Sequence, residues 1–215
     1  MARRVVPCRV VCSCARAQLV MEEAFDCWEQ GKNDGDYHLA FDEWWRADLA
    51  AMVMRDRSRP SIVMWSIGNE IKERYTARGA ALAAQLTDLV HAYDAGSNRT
   101  VTSAVPVPGG HPPYAFGAKL DVIGYNYACS FATTAGCGLF AADRAKLANG
   151  SRLFVSTESL PRQSAELWGT IMSHSWLLGD FTWTAWGCAV GRSAASLSCF
   201  LFGVRLLLTP ATCSF

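Results

Sequence analysis

Six short apolar runs, separated by stretches of helical periodicity, constrain this 215-residue chain more than any other feature. They are LVMEEAF (19–25), SIVMWSIG (61–68), RTVTSA (99–104), LDVIGYNY (120–127), RLFVSTE (152–158) and DFTWTAW (180–186). Continuous apolar runs, instead of strict alternation, mark strands covered on both faces, so a parallel sheet flanked by helices is predicted. In the first helical segment Asp42 is placed as the N-cap, with Trp45, Leu49, Met52 and Val53 on the apolar face and an end before Pro60. A second spans 76–94, with Leu82, Leu86, Leu89, Val90 and Tyr93 on one stripe and Gly96 placed to terminate it. Residues 139–148 and 164–178 complete the alternation.

Repeated βα units allow a doubly wound sheet or a (β/α)8 barrel. The polar residues choose between them. Glu23, Asn69, Glu70, Asn126, Tyr127 and Glu158 all fall at the carboxyl ends of the apolar runs, where a barrel assembles its active site from many strands. A doubly wound nucleotide fold calls for a glycine-rich turn after its first strand, and no G-x-G-x-x-G is present. Glu70 closes SIVMWSIGNE and Glu158 closes LFVSTE. Two carboxyl groups delivered at strand ends are the minimum equipment for hydrolysing a glycosidic bond.

Composition narrows the partners. A net charge of +1 gives no reason to invoke nucleic acid. The late apolar stretch 197–208 is shorter than a membrane span and contains Arg205, so a soluble protein is expected. Eight tryptophans suit either a core or a sugar-binding cleft. The nine cysteines show no paired CxxC spacing and no histidine at zinc-ligand distance. No metal site is therefore expected, most of the thiols are read as free and buried, and no pairing is specified. His111, in GGHPPYAF, is read as a loop residue, and the RDRSR run at 55–59 as complementing a helix C-terminus.

From about Leu19 to Trp186 the chain resembles the catalytic barrel of family two glycoside hydrolases, most closely its β-galactosidase-type members. The most specific block is YHLAFDEWWRADLAAMVMRDRSRPSIVMWSIGNE. The resemblance implies a retaining glycosidase with no cofactor, acting on a carbohydrate substrate of β-galactoside or related type. It casts Glu70 as general acid/base and Glu158 as nucleophile. It makes Asn69, Tyr127, Trp183 and Glu23 substrate-binding residues, Asn69 addressing the sugar 2-hydroxyl, Tyr127 lying near the nucleophile and Trp183 forming part of the sugar wall.

Three departures accompany it. Glu22 stands where relatives carry aspartate, which predicts a carboxylate pushed deeper into the cleft or out of register. Only a short leader precedes Gln18, so the expected fold is α/β, a (β/α)8 TIM barrel truncated at its N-terminus, with about six of eight βα units. After Trp186 the resemblance stops. The expected organisation is a leader at 1–18 with a weak signal-peptide-like pattern, a partial catalytic barrel at 19–187 and an unrelated tail at 188–215. Localisation stays open. Six strands leave two sheet edges, so the alternative to an enzyme is a catalytically inactive barrel fragment that binds carbohydrate or a complementary chain, and self-association through those edges is an expectation.

Overall fold

The structure, a computed structural model, describes residues 19–106, 114–129, 137–146 and 151–183. Its strands are β1 (Val20–Glu23), β2 (Ile62–Asn69), β3 (Thr100–Pro106), β4 (Val122–Asn126), β5 (Leu153–Ser159) and β6 (Leu177–Thr182). They form one six-stranded sheet in sequential order, every neighbouring pair parallel. The helices between them are α1 (His38–Asp56), α2 (Ala77–Tyr93), the single turn α3 (Tyr114–Gly117), α4 (Gly138–Lys146) and α5 (Ser164–Ser173). Sequential parallel strands with intervening helices are the winding of a (β/α)8 barrel, here represented by six of its eight strands.

Side chains alternate between the helix layer and the barrel interior. Trp65 and Ile67 join a large cluster with Leu49 and Val53 of α1 and Leu82, Leu86 and Val90 of α2. In the same layer Tyr125 stacks on Phe140 of α4 and Phe154 meets both rings edge-on, with ring centroids 5.5–6.3 Å apart. Met64, Val122, Val155 and Phe181 form a separate, smaller cluster across the strands. The sheet is thus covered on both faces, which is why its strands read as continuous apolar runs. Gly124 lets β3, β4 and β5 approach closely: a Cβ there would lie 2.5 Å from the Ser103 carbonyl oxygen and 2.6 Å from Thr157 Cγ2.

Three element boundaries differ from the sequence reading. Helix α1 begins at His38, so Asp42 lies inside it and is no cap; Tyr37 occupies the cap position without a side-chain hydrogen bond. The expected helix over 164–178 stops at Ser173, and Leu177 and Leu178 already belong to β6, which starts three residues before the expected Asp180. Tyr93 is exposed instead of facing the core. Helix α2 holds to expectation: the Thr76 hydroxyl accepts from the Gly79 N–H at 2.9 Å, an N-cap with the usual geometry. At the N-terminal end of the strands the buried Asp94 accepts from the Trp65 indole at 3.0 Å and from Arg99 at 2.7 Å. Among the described residues no helix is long and apolar enough to cross a membrane. The leader, the tail from 184 onward and His111 lie outside the described residues.

Candidate active site

The first two strand ends are tied together by backbone. Ala24 donates to the Ser66 carbonyl at 3.0 Å and Asn69 to the Phe25 carbonyl at 2.8 Å, so the chain leaving β1 runs beside the end of β2. Glu70 and Tyr127 each follow the last residue of a strand and adopt positive φ, 48° and 59°. Each is anchored by its own N–H to the adjacent strand, Glu70 to the Ala104 carbonyl and Tyr127 to the Glu158 carbonyl, both at 2.7 Å. Left-handed backbone is costly for residues with a Cβ and is concentrated at functional sites, where surrounding contacts hold it.

A register slip completes the arrangement. Tyr125 pairs with Ser156, but Asn126 pairs with Glu158, so one extra residue is accommodated in β5. Consecutive residues of a regular strand face opposite sides; the bulge lets both Thr157 and Glu158 reach the same neighbour. Thr157 Oγ1 donates to Asn126 Oδ1 at 2.7 Å, and both Asn126 and Tyr127 hydrogen-bond the Glu158 carboxylate. The Asn126 amide NH2 also reaches Asn69 Oδ1 at 3.0 Å and Glu70 Oε1 at 3.2 Å. Asn126 is fully buried and touches both glutamates.

The electrostatics follow from that crowding. Burial raises the Glu158 carboxyl above its usual range, the Glu70 charge adds to the rise, and hydrogen bonds from Tyr127 and Asn126 oppose it. Glu23 accepts from Ser66 Oγ at 2.7 Å and is packed on one side and open to solvent on the other. Burial on the packed side, with the Glu158 and Asp26 charges, pushes it up to about 7 against the Ser66 bond and the Lys32 charge. Burial also acts to raise Asp26, yet the Lys32 ammonium at 2.7 Å and the Asn69 amide at 3.0 Å together hold it below its usual range. Asp180, within β6, is raised by burial despite accepting from Ser159 Oγ at 2.8 Å.

The strand ends therefore bring together Glu70, Glu158, Asn69, Tyr127 and Glu23. Trp183 follows β6, its N–H donating at 2.8 Å to the carbonyl of Ser159, the residue after Glu158, and 54% of its surface is exposed. Glu22 behaves otherwise than expected. Its carboxylate points outward to Arg55 at 2.9 Å and neighbours Asp56 at the end of α1, so the strand pleat turns it away from the cleft. Asp26, Lys32 and Thr157 had no role in the sequence reading, and Asn126 entered it only as a polar strand end. For Asp26, Asn126 and Thr157 the signal is contact between residues 31 to 57 positions apart, which no local pattern carries, and Lys32 enters only through its pair with Asp26.

Two cysteine expectations change. Cys129 and Cys137 form a disulfide across eight residues, between the end of β4 and the start of α4, where free thiols were expected. Cys27 is free and buried, but a histidine does approach it: Cys27, Asp36 and His38 place potential ligand atoms within 4.8 Å of one another. The Asp36 carboxylate takes the Cys27 thiol at 3.2 Å, the His38 ring, and the backbone N–H groups of Lys32 at 2.7 Å, Asn33 at 2.9 Å and His38 at 3.2 Å. Five donors occupy its acceptor sites, and burial with the Asp36 contact pushes the thiol up to about 11. The cluster is a clasp that closes the loop between β1 and α1.

Parallel β/α units with polar side chains converging at the strand ends define a partial (β/α)8 barrel. The family described as glycosyl hydrolases family 2, TIM barrel domain, matches residues 15–105. A β-galactosidase of Bacteroides ovatus is 32% identical over 138 residues, an alignment covering 51% of this chain and 16% of the relative. A solved family 2 member from Bacteroides cellulosilyticus is 40% identical, with a TM-score of 0.67 over 78% of this chain and 20% of its own. A β-glucuronidase of Bifidobacterium dentium shares the fold, with a TM-score of 0.58 at 21% identity. The described barrel is similar to the catalytic barrel of glycoside hydrolase family 2. The chain spans about a fifth or less of the length of the first two of these relatives.

Proposed function

We propose that this barrel hydrolyses terminal β-glycosidic bonds with retention, by double displacement. Glu158 attacks the anomeric carbon while Glu70 donates its proton to the leaving oxygen. Glu70 then takes a proton from water as that water displaces Glu158 from the glycosyl intermediate. Asn69 addresses the 2-hydroxyl, Tyr127 supports the ionised nucleophile, and Glu23 and Trp183 line the sugar pocket. The observation that carries this reading is the buried Asn126 amide shared by the two glutamates. A β-galactoside is the favoured substrate, on the strength of the Bacteroides ovatus relative.

The test is intact mass after incubation with 2-fluoro β-galactoside and 2-fluoro β-glucuronide probes, followed by peptide mapping. A single glycosyl adduct on Glu158, lost in Glu158→Gln, is the expected result, and the probe that labels faster names the sugar. An adduct on another residue overturns the assignment of the nucleophile. A second reading rests on β1 and β6, which among the described residues each have one neighbour in the sheet: a sheet that binds carbohydrate without turnover, or pairs with a complementary strand. Retention of the galactoside with no adduct supports it.

A further inference from the structure

An amide side chain has one donating and one accepting end of nearly equal size, so its orientation is set by what its neighbours accept and donate. The site contains two such amides in series. At the β1 end, the Asp26 carboxylate is acceptor-only, and the Lys32 ammonium at 2.7 Å helps to keep it ionised. It therefore takes Asn69 Nδ2, at 3.0 Å, which turns Asn69 Oδ1 toward β4. Asn69 Oδ1 accepts from Asn126 Nδ2 at 3.0 Å, and that NH2 group reaches Glu70 Oε1 at 3.2 Å. At the other end Thr157 Oγ1, buried, donates to Asn126 Oδ1 at 2.7 Å. The hydrogen-bond chain runs from the segment that leaves β1 through β2, β4 and β5 with one consistent polarity.

We propose that Thr157 is a positioning residue which, with the Asp26–Asn69 pair at the far end, fixes the Asn126 amide so that its NH2 group serves both glutamates. This rests on the glycosidase reading above for its catalytic consequence. The local geometry gives Thr157 that task. The β5 bulge places it one residue before the proposed nucleophile and on the same neighbour, so one strand delivers both the carboxylate and the hydroxyl that orients its donor. Glu70 alternates between acid and carboxylate during a double displacement, and a protonated Glu70 can donate to a flipped Asn126 carbonyl as readily as it accepts from the NH2. Thr157 and Asp26 keep the amide from following that alternation. Asp26 is exposed, at 61% for its side chain, whereas Thr157 is sealed in the barrel, so the larger effect belongs to Thr157.

Two substitutions separate hydroxyl from shape. Thr157→Val keeps the methyl that packs against Gly124 and removes the donor; Thr157→Ser keeps the donor and removes the methyl. The first measurement is the 15N side-chain spectrum of Asn69 and Asn126, which needs no turnover. Thr157→Val is expected to move the Asn126 NH2 resonances and speed their exchange, Thr157→Ser to leave them near those of the parent, and Asp26→Asn to move those of Asn69. The second is kcat/KM on phenyl and 2,4-dinitrophenyl β-galactosides, the latter needing little acid assistance. Thr157→Val is expected to lower the phenyl value about tenfold, roughly the effect of orphaning a buried acceptor, and the dinitrophenyl value less, with Thr157→Ser restoring both. Unchanged Asn126 resonances in Thr157→Val overturn the proposal, as does a Ser variant as poor as the Val variant. A parent chain with no turnover overturns the glycosidase reading instead, and the amide spectrum still decides the role of Thr157.

Discussion

Tyr127 and Glu23 are the residues on which protonation bears most. Burial and the Glu70 charge raise the Glu158 carboxyl, and the Tyr127 hydrogen bond opposes them. Removing that donor in Tyr127→Phe leaves Glu158 harder to ionise, so the acidic limb of the kcat/KM profile is expected to move to higher pH, with little change in the alkaline limb. An unmoved acidic limb would mean that Tyr127 only fills space. Glu23 has the opposite consequence, for stability. Its carboxyl stands at about 7 in the folded chain against 4.5 for the free group. Below about 4.5 both states are protonated; between 4.5 and 7 folding takes up a proton, so stability falls as pH rises through that window and is level above it. Solvent on the open side of Glu23 limits the effect to at most about 1 kcal/mol. Glu23→Gln, which still accepts from Ser66, is expected to flatten that part of the melting-temperature profile. Glu70 and Glu158 were legible in the sequence because each ends an apolar run. Asp26 and Thr157 were not, because their importance lies in which atom of a distant amide they face, and Lys32 matters through Asp26. The outward turn of Glu22 follows from strand pleat, which a residue-by-residue family comparison does not supply.

Strands and helices were read where a local pattern determined them. The apolar stripe of α2 is bounded by a capping threonine, and the structure places its start one residue after Thr76. Thr76→Ala is expected to lower stability by about 1 kcal/mol, measured by urea denaturation. A fall below a few tenths would show that water replaces the cap. The boundaries that moved had weaker local determinants. At α1 Asp42 looks like a cap, but the helix starts four residues earlier, at His38, whose ring joins Asp36 in the clasp with Cys27. At β6 the apolar stretch from Trp176 to Leu178 fits the stripe of α5 as well as a strand, and pairing with β5, Phe154 opposite Leu177, decides it. Gly124 shows what pairing demands in return. Three strands meet over its missing side chain, so Gly124→Ala must displace the Ser103 carbonyl or Thr157. Its expected outcome is a loss of several times the Thr76→Ala effect, accompanied by disturbed Asn126 amide resonances, since Thr157 orients that amide.

At the scale of the molecule, the sheet is uneven in a way that its local periodicity does not announce. Among the described residues, strands β2 to β5 each have two neighbours, whereas β1 and β6 have one, and β1 contributes four residues against eight in β2. Yet β1 and the segment leaving it carry Glu23, Asp26 and Lys32, so the weakest-held element supports one wall of the proposed site. The clasp around Asp36 closes the following loop on itself, and the Trp28 indole, which donates to the Ile67 carbonyl at 3.0 Å, pins that loop to β2, compensating in part. Native-state hydrogen exchange should therefore show a gradient: amides of β3 and β4 protected close to the global unfolding free energy, β1 opening far more readily, and the Trp28 loop between them. Protection of β1 equal to that of β3 at low protein concentration would overturn this, because it would mean that the outer edge of β1 is paired within the chain. Protection that rises with concentration, in step with a larger sedimentation coefficient, would instead show two copies joining edges, the self-association that an uncovered parallel edge invites. Ordering of β1 and labelling of Glu158 then become linked quantities. A condition that protects β1 should also speed formation of the glycosyl adduct, because both depend on the same wall of Glu23, Asp26 and Asn69.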